Sequence, residues 1–209
     1  MIFQSNFLPC FDYMASILEE NKIKINISDQ YRKQSYRNRA YILGSNTIDT
    51  LIIPIIKSPN NTEIKEIKIE YKEDWQKLHW KKISNSYRNS PYFEYYDYLI
   101  KPVFEKKVVY LSDFNLKCLT LCLKMLNINM TICQREYSYF ENNNEFISFN
   151  AKNRLENQIL YVPISYYQNF GNKFEHNLSI LDLILNKGPE SLGILKSSRK
   201  INVLIEHSK

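Results

Sequence analysis

The densest group of potentially reactive side chains is a basic block at residues 31–39, YRKQSYRNR. It holds four cations in nine residues and follows an alternating run of isoleucines, with no aliphatic side chain inside it. A guanidinium binds a carboxylate or phosphate through two parallel hydrogen bonds, lysine neutralises a point charge, and a hydroxyl or amide orients the anion. The block therefore predicts a site for an anionic substrate, with these binding candidates: Lys33, Ser35, Arg37, Asn38 and Arg39.

Arginine is more informative than lysine in this chain. The sequence is rich in Lys, Asn, Ile and Tyr, whose codons are rich in A and T, so codon bias can explain much of the net charge of +6. Such a genome drifts toward lysine wherever a point charge suffices. Three of the seven arginines (Arg32, Arg37 and Arg39) nevertheless lie within eight residues. This clustering favours a binding site, and the alternative is a solvated basic loop or edge strand.

His79 is the candidate general acid or base. It lies in EDWQKLHWKKI and shares a helical face with Trp75 and Ile83, which places an imidazole on the apolar side of a helix. A partly buried histidine is suited to proton transfer near neutral pH. The alternative is a core histidine with satisfied nitrogens, because the sequence places no carboxylate or cysteine partner beside it.

The aromatic run SPYFEYYDYLI at residues 90–100 is a weaker candidate. Its rings could stack on a sugar or base with Glu94 or Asp97 as a nearby carboxylate. Packing in the core or at an interface is the more common use of such a run.

Several familiar signatures are missing from the sequence. It contains no P-loop, GxGxxG, HExxH, GxSxG or paired CxxC, and it has only four glycines, which argues against a glycine-cradled nucleotide phosphate. No cofactor is identified and no metal site is predicted. Of the four scattered cysteines, Cys118 and Cys122 lie one helical turn apart in an apolar run, so we expect them to be buried and unpaired.

Hydrophobic periodicity predicts the elements that position these residues. Residues 2–4 predict a short strand, residues 11–18 a helix, and KIKINI a strand that alternates strictly. Together they predict a βαβ unit with parallel strands. Ligands of such sheets gather at strand ends beside helix N-termini. We therefore expect the basic block and the opening turn at Pro9 to line a common pocket.

The rest of the chain changes from strands to helices. Further strands are predicted at 42–43, 51–56, 67–71 and 159–167. Helices are predicted from Asp74 onward, from Pro91 to a stop at Pro102, over 114–126 and over 180–186, with a long Asn-rich loop at about 141–158.

A length of 209 residues, 44% of them hydrophobic, suits one domain with its own core. We expect a single domain over 1–209 of α/β or α+β class, in which a mixed β-sheet built mainly from the N-terminal half is packed by helices from the C-terminal half. No run approaches the ~18 apolar residues of a membrane helix, and the N-terminus lacks a secretion signal. The expected protein is cytoplasmic, without membrane insertion.

Six blocks occur in order along the chain: YRKQSYRNRAYILG, LIIPI, W(x3)HW(x2)I(x3)Y, PYFEYY, LSDFN and SILDLILNKGPES. Together they resemble the WbqC-like protein family, in the version common in Bacteroidetes-type bacteria, over nearly the whole chain. That family takes its name from proteins encoded in surface-polysaccharide and O-antigen loci. The resemblance therefore implies a bacterial cytoplasmic protein of envelope glycan biosynthesis, without supplying an established catalytic residue.

The resemblance overlaps the candidates taken from residue chemistry. The basic block matches the family pattern, as do Trp75, His79 and Tyr87, which adds Tyr87 to the substrate-binding candidates. The family's N-terminal pattern often reads QPNYLPW or a related YFPP form, whereas residues 4–10 here read QSNFLPC. Loss of the first proline and of the tyrosine hydroxyl weakens any role for this turn.

Three functions are compatible with these features. The leading hypothesis is a transferase-type enzyme acting on an anionic small or carrier-linked substrate, such as an aminoacyl, acyl or sugar-nucleotide intermediate. Arg37 and Arg39 would bind the anion and His79 would exchange the proton. The second is a noncatalytic binding or assembly factor in the same pathway. The third is RNA binding, which sixteen tyrosines and the basic charge permit but the missing RNP-like and GXXG motifs oppose.

Overall fold

The protein alternates short strands and helices in its first third and is mainly helical afterwards. The computed structural model describes residues 1–136, 146–147, 149, 151, 161–162, 164–171 and 173–198. In chain order these form β1 (Ile2–Gln4), α1 (Phe11–Ile17), β2 (Lys22–Asn26), β3 (Arg39–Leu43), β4 (Ile48–Ile52), α2 (Trp75–Tyr87), α3 (Phe93–Glu105), α4 (Leu111–Met125), β5 (Thr131–Arg135), β6 (Phe146–Ile147), α5 (Ile180–Lys187) and α6 (Ser191–Ser197), with 3-10 helices at Ile64–Glu66 and Gly188–Glu190.

A four-stranded parallel sheet in the order β5-β2-β1-β6 forms one layer of the fold. Phe3 of β1 lies opposite Ile25 of β2 on one side and Ile147 of β6 on the other. Helix α1 connects β1 to β2, so the predicted βαβ unit with parallel strands is confirmed. Because β2 and β5 extend the sheet on one side of β1 and β6 on the other, the strand order reverses beside β1. Ligands of open α/β sheets bind at such a reversal, outside the carboxyl ends of the strands.

Strands β3 and β4 form a separate antiparallel hairpin in which Arg39 lies opposite Ile52. The pairing continues one step beyond the strands, where the Ile53 amide donates to the Asn38 oxygen over 2.9 Å. The hairpin joins the C-terminal part through the Ser179 amide, which donates to the Tyr41 oxygen over 2.7 Å. The basic block thus connects the parallel sheet to this hairpin.

The helices bury their apolar faces against one core. Helix α4 is deeply buried, with Phe114, Cys118 and Cys122 at zero exposure. The Ser179 hydroxyl caps α5 by accepting from the Leu181 amide. Buried apolar side chains form one continuous cluster from Phe3 to Leu195. No helix in the described ranges is long and apolar enough to cross a membrane.

The structure confirms a mixed α/β fold with strands mainly from the N-terminal half and helices mainly from the C-terminal half. The strands form a parallel sheet and a hairpin, and both inner strands of the parallel sheet come from the first 26 residues.

Three local predictions were wrong. Residues 67–71 make isolated bridges, such as Ile55 with Ile69, because their backbone partners come from separate segments rather than from one strand. Pro102 lies inside α3, which continues to Glu105, because the packing of the helix offsets the backbone hydrogen bond that the proline removes. The described residues of 159–167 have no strand pairing.

The C-terminal part holds two elements that the sequence did not predict. Helix α6 follows Gly188, which ends α5 in a left-handed conformation with φ of 51°. Strand β6 lies within the predicted loop at 141–158, and most other residues of that loop are outside the described residues.

Candidate functional site

The carboxyl end of β1 carries three polar residues, Gln4, Ser5 and Asn6, all buried. Polar side chains are usually exposed or hydrogen-bonded, so three consecutive buried polar residues are unusual. The same turn holds Leu8 at φ of 38° immediately before Pro9. A bulky residue in the left-handed region costs about 1–3 kcal/mol, and such strain clusters at functional sites.

The basic block lies directly against this turn. The Phe7 amide donates to the Tyr36 oxygen over 2.9 Å. From α4, the Asn115 side-chain amide donates to the Ser5 oxygen over 3.2 Å and to the Arg37 oxygen over 2.8 Å. These bonds bring the opening turn, the basic block and α4 together, and a common pocket lined by them stays a prediction.

Arg37 is an interior residue, only 3% exposed. Its Nη2 forms an ion pair with Asp29, which follows β2, and its buried Nε has no hydrogen-bond partner among the described residues. The Asp29 carboxylate therefore already offsets most of the Arg37 charge. Removing two charges from water is costly unless they stay paired, so losing either partner would leave the other as an uncompensated charge.

Arg39 differs from Arg37 in its pairing. It is half-buried, and the described part of the chain supplies it with neither an ion pair nor a hydrogen-bond partner for its buried Nε. Its field reaches the half-buried Tyr31, whose pKa is raised by burial and lowered in part by Arg39 and then Arg37. Of the two arginines, Arg39 is the one whose charge remains available to an anion.

Two other residues of the basic block, Ser35 and Asn38, fix its backbone through side-chain hydrogen bonds. Asn38 donates from Nδ2 to the Ile53 oxygen over 3.1 Å and so extends the hairpin with its side chain. The Ser35 hydroxyl donates to the Arg32 oxygen over 2.6 Å and closes a local turn. Lys33 is exposed and points away from the core. Asn38 and Ser35 are therefore fixed in place, whereas Lys33 is not.

Several buried polar atoms in this region lack hydrogen-bond partners within the described ranges. They include the side-chain oxygens of Gln4, Asn38 and Asn115 and both side-chain polar atoms of Asn6. A buried polar atom without a partner costs about 1–3 kcal/mol, so a group of them is a candidate site for a ligand that would supply the missing bonds. We call the following set the edge cluster: Gln4, Asn6, Arg37, Asn38, Arg39 and Asn115.

His79 lies beside the edge cluster. Its Nε2 accepts from the Ile52 amide over 3.1 Å, and Ile52 is the residue paired with Arg39 across the hairpin. The imidazole stacks on Phe7 at 5.9 Å and contacts Trp75 edge-on at 5.1 Å. Burial, with a smaller contribution from a nearby lysine, lowers the pKa of His79 to about 4. The ring is therefore neutral at pH 7.

The hydrogen bond to Ile52 decides which nitrogen of His79 carries the proton. Because Nε2 accepts, the proton of the neutral ring is on Nδ1, which is buried and has no hydrogen-bond partner in the described residues. Nδ1–H can donate a hydrogen bond to a ligand, whereas the lone pair that takes up a proton is on Nε2, which the Ile52 amide occupies. A catalytic role for His79 stays a prediction, since the same contacts also suit a core histidine.

Tyr87 is not brought to the edge cluster. Its hydroxyl accepts from the Leu43 amide over 3.3 Å. Leu43 and Arg39 are the two ends of β3, so they are about 13 Å apart along the extended strand. The Tyr87 hydroxyl also contacts Asp182, a fully buried carboxylate. Tyr87 therefore belongs to a second polar group, in the C-terminal part.

Asp182 is the centre of that second group. Its Oδ2 accepts from the Tyr166 hydroxyl over 2.8 Å and from Gln168 Nε2 over 2.7 Å. Burial raises the pKa of Asp182 to about 6, while these hydrogen bonds act in the opposite direction. The group ties α2 and α5 to residues 166–168.

The family comparison covers both groups. A model of the WbqC-like protein family matches residues 4–161 and 139–194. The chain belongs to the WbqC-like protein family. A similar protein is the uncharacterised Rv1507c of Mycobacterium tuberculosis, which is 25% identical over 227 aligned residues covering 95% of this chain and 98% of that protein. No solved structure matches the chain.

The aromatic run of this WbqC-like chain is divided between core and surface. Phe93 and Tyr96 are buried, whereas Tyr95 and Tyr98 are exposed on the outside of α3. The predicted stacking rings therefore do not reach the edge cluster. Nor do the described residues place three or more His, Cys, Asp or Glu side chains where they could hold a metal ion.

Sequence reasoning missed Gln4, Asn6 and Asn115 as site residues. Asn115 has a visible signal, because it is a polar residue between Phe114 and Cys118 on a helix that is apolar nearly all round. From the sequence we expect the opening turn at the pocket but assign no role to its side chains, because the turn departs from the family's usual pattern. The fold buries Gln4 and Asn6, which that pattern retains, together with Ser5.

Proposed function

We propose that this protein is a transferase-type enzyme acting on an anionic small or carrier-linked substrate in bacterial surface-polysaccharide or envelope biosynthesis. The edge cluster is the observation that supports it, because buried polar atoms without partners collect where the strand order of a parallel sheet reverses. Membership of a family named for polysaccharide-locus proteins supports the pathway. The Bacteroidetes-type origin and the cytoplasmic location belong to the same proposal.

The anionic part of the substrate is assigned to Arg39. Arg37 already pairs with Asp29, whereas Arg39 has no carboxylate partner among the described residues. A half-buried guanidinium binds a carboxylate or phosphate more strongly than an exposed one because water screens it less. In this proposal Arg37 positions the block, Arg39 binds the anion, and the exposed Lys33 attracts it.

The neutral part of the substrate is assigned to the amides. Gln4, Asn38 and Asn115 offer buried acceptor oxygens, and Asn6 offers both a donor and an acceptor. Such a set suits a ligand rich in hydroxyl or amide groups. This favours a sugar-nucleotide or aminoacyl intermediate over a simple acyl chain, which would leave the amides unpaired.

His79 is the proposed proton carrier. Because Nδ1 carries the proton of the neutral ring, His79 takes up a second proton only at Nε2, after the Ile52 amide has released its hydrogen bond there. Because its pKa lies at about 4, the ring is a weak base at pH 7 and holds little imidazolium as an acid. A protonated intermediate at His79 would need the negative charge of the bound substrate to stabilise it.

A noncatalytic binding factor is the second candidate. The contacts of His79 support it, since Phe7 and Trp75 enclose the ring and leave no second titratable group beside it within the edge cluster. In that case the cluster would hold the ligand for another enzyme and return it unchanged.

The proposal is tested by metabolite capture with the full-length purified protein. Wild type, Arg39→Lys, Asn6→Ala and the control Arg88→Lys are incubated with a bacterial small-molecule extract, and retained compounds are identified by mass spectrometry. Arg88 is an exposed arginine outside the cluster. We expect an anionic, hydroxyl- or amide-bearing compound on wild type and Arg88→Lys, reduced about tenfold on Arg39→Lys because lysine lacks the planar fork.

Two outcomes separate the candidates and one rejects both. Transfer of a group from the captured compound to water or an added acceptor, lost in His79→Gln, supports the enzyme. Recovery of the compound unchanged under every condition supports the binding factor. Equal retention by Arg39→Lys, Asn6→Ala and wild type would mean that the edge cluster is not the site.

A further inference from the structure

A second potential site lies where the start of α1 meets residues 164–177, apart from the basic block. A partly open cavity of about 10 Å³ lies there, with walls that include Phe11, Asp12, Tyr166, Phe174 and His176. That volume holds one group of the size of a water molecule. An ammonium head group has nearly the same size, so the cavity can accept either.

Asp12 supplies a carboxylate to this cavity. The residue is 5% exposed, and its buried Oδ2 has no hydrogen-bond partner within the described residues. Its backbone is fixed on both sides, because its amide donates to Asn177 Oδ1 over 3.2 Å and its carbonyl accepts from the Ser16 hydroxyl over 2.7 Å. The carboxylate therefore stays beside the cavity, and the described residues offer its Oδ2 no hydrogen bond.

The other walls favour a cation. Tyr166 and Phe174 pack edge to face, with ring centroids 4.9 Å apart, and Phe174 lies 6.5 Å from the imidazole of His176. The Tyr166 hydroxyl already donates to Asp182, so a ligand in the cavity would contact the tyrosine through its ring rather than its oxygen. Ring faces carry negative charge and attract ammonium groups, most strongly where water is excluded.

We propose that this cavity binds the –NH3⁺ head of a small primary amine, with Asp12 as its counter-ion. One water-sized cavity excludes quaternary ammonium groups by volume. A neutral water would satisfy the Asp12 oxygen but would gain nothing from the aromatic walls. The inference is independent of the proposed function, since the cavity shares no residue with the edge cluster.

The probe is methylammonium chloride, added to the ¹⁵N-labelled full-length protein at constant ionic strength. The amide signals of Asp12 and Ser16 report on the cavity, because both residues border it or bond to its wall. We expect shifts that saturate with methylammonium. Methanol, which is neutral and of similar size, and tetramethylammonium, which is too large, should give no saturating shift.

Substitutions assign the binding to the carboxylate and the rings. Asp12→Asn should weaken methylammonium binding at least about tenfold, whereas Asp113→Asn, which changes an exposed aspartate in the first turn of α4, should not. If Asp12→Asn does not fold, Phe174→Leu removes one half-buried ring and should weaken binding severalfold. Equal binding by these variants and wild type, or equal shifts with methanol, would show a water site only.

Two further probes distinguish the sources of the amine. Glucosamine presents an amino sugar and glycinamide an aminoacyl group, each with one primary ammonium. Saturation by either supports the proposal and names the source. If methylammonium saturates and neither of these binds, the cavity does not accept the ammonium of a larger molecule, and the proposal is overturned for attached amines.

Discussion

The side-chain amide of Asn115 donates to the backbone oxygen of Arg37 over 2.8 Å, although the two residues are 78 positions apart in the chain. The same Nδ2 also reaches the oxygen and the hydroxyl of Ser5, at 3.2 Å and 3.3 Å. One amide on α4 thus joins the carboxyl end of β1 to the basic block. The geometry of the edge cluster depends on it.

Asn115→Ala should therefore destabilise the protein. The change leaves the buried oxygens of Ser5 and Arg37 without their shared donor, which costs about 1–3 kcal/mol in free energy of unfolding. Urea denaturation followed by circular dichroism measures it. Asn129→Ala, at an exposed position after α4, should change stability by less than about 0.5 kcal/mol. Equal midpoints for the two variants would contradict the assigned role.

The two arginines should respond oppositely in stability and in binding. Arg37→Ala leaves Asp29 as an unpaired, largely buried charge, which costs about 3–5 kcal/mol. Arg39→Ala removes a half-buried cation that has no ion pair in the described structure, so we expect a loss below about 1 kcal/mol. Thermal melts of both variants at pH 7 give the comparison. A larger loss for Arg39 would reverse the roles proposed for them.

The sequence places the basic block after an alternating strand, which the structure shows as β2, but it treats the arginines of the block alike. In a chain with AT-rich codon usage, clustered arginines indicate selection rather than codon drift. Composition does not show which of these arginines is buried. Arg37 differs from Arg39 because it forms an ion pair with Asp29. That pair forms only because the chain turns back beside the opening turn. Sequence patterns carry spacing along the chain, and such pairing depends on how separate segments meet.

Periodicity succeeded where an element's own residues determine it. The alternation of β2 and the apolar spacing of α1 are local, and the prediction of the βαβ unit followed from them. It failed at Pro102, because the packing of α3 overrides the cost of one proline. It also failed at residues 67–71, whose bonds go to separate segments, as from Ile69 to Val109.

His79 should make stability depend on acid pH in a particular direction. Its pKa falls from the usual 6.5 to about 4 on folding, so the unfolded chain binds the proton more readily. Stability is complete above pH 6.5 and decreases as the pH falls toward 4, by up to about 1.4 kcal/mol per unit. In His79→Gln this part of the decrease should vanish. Unfolding free energies at pH 5 and 7.5 for both proteins measure the difference.

At pH 7.5 the same variant separates the two interpretations of His79. A core histidine that loses its ring contacts with Phe7 and Trp75 should cost about 1–3 kcal/mol. A catalytic residue should instead lose turnover of the captured substrate with little change in stability. No change in either property would remove His79 from the functional argument.

The thiols of α4 should react slowly in the native protein. Cys118 and Cys122 are free and fully buried, and burial raises the pKa of Cys122 to about 12 and that of Cys118 well above its usual value. Reaction needs an exposed thiolate. With a thiol reagent at pH 7.5, the half-buried Cys133 should be labelled first. Rapid native labelling of Cys118 or Cys122 in a Cys133→Ser variant would contradict the packing of α4.

Asp12 should act on stability with the opposite sign to His79. Burial raises its pKa from 3.8 to about 7, so the folded protein holds a proton that the unfolded chain releases. Stability is therefore lost as the pH rises from about 4 to 7, by up to about 1.4 kcal/mol per unit. The Asp12→Asn side chain carries no charge, so the free energy of unfolding of this variant should rise relative to wild type across this range. Asp113→Asn should show no such rise.

The neighbours of Asp12 leave this comparison interpretable. Burial raises the pKa values of Cys10 and Tyr161 to about 12, so neither titrates between pH 4 and 7. His176 lines the same cavity as Asp12, so the comparison is repeated in a His176→Gln background, in which no imidazole titrates there. Adding methylammonium should then stabilise wild type most at pH 7.5, where Asp12 can be charged, and should leave Asp12→Asn unchanged. A stability difference between wild type and Asp12→Asn that does not vary with pH would mean that the carboxyl group titrates normally, with water at Oδ2.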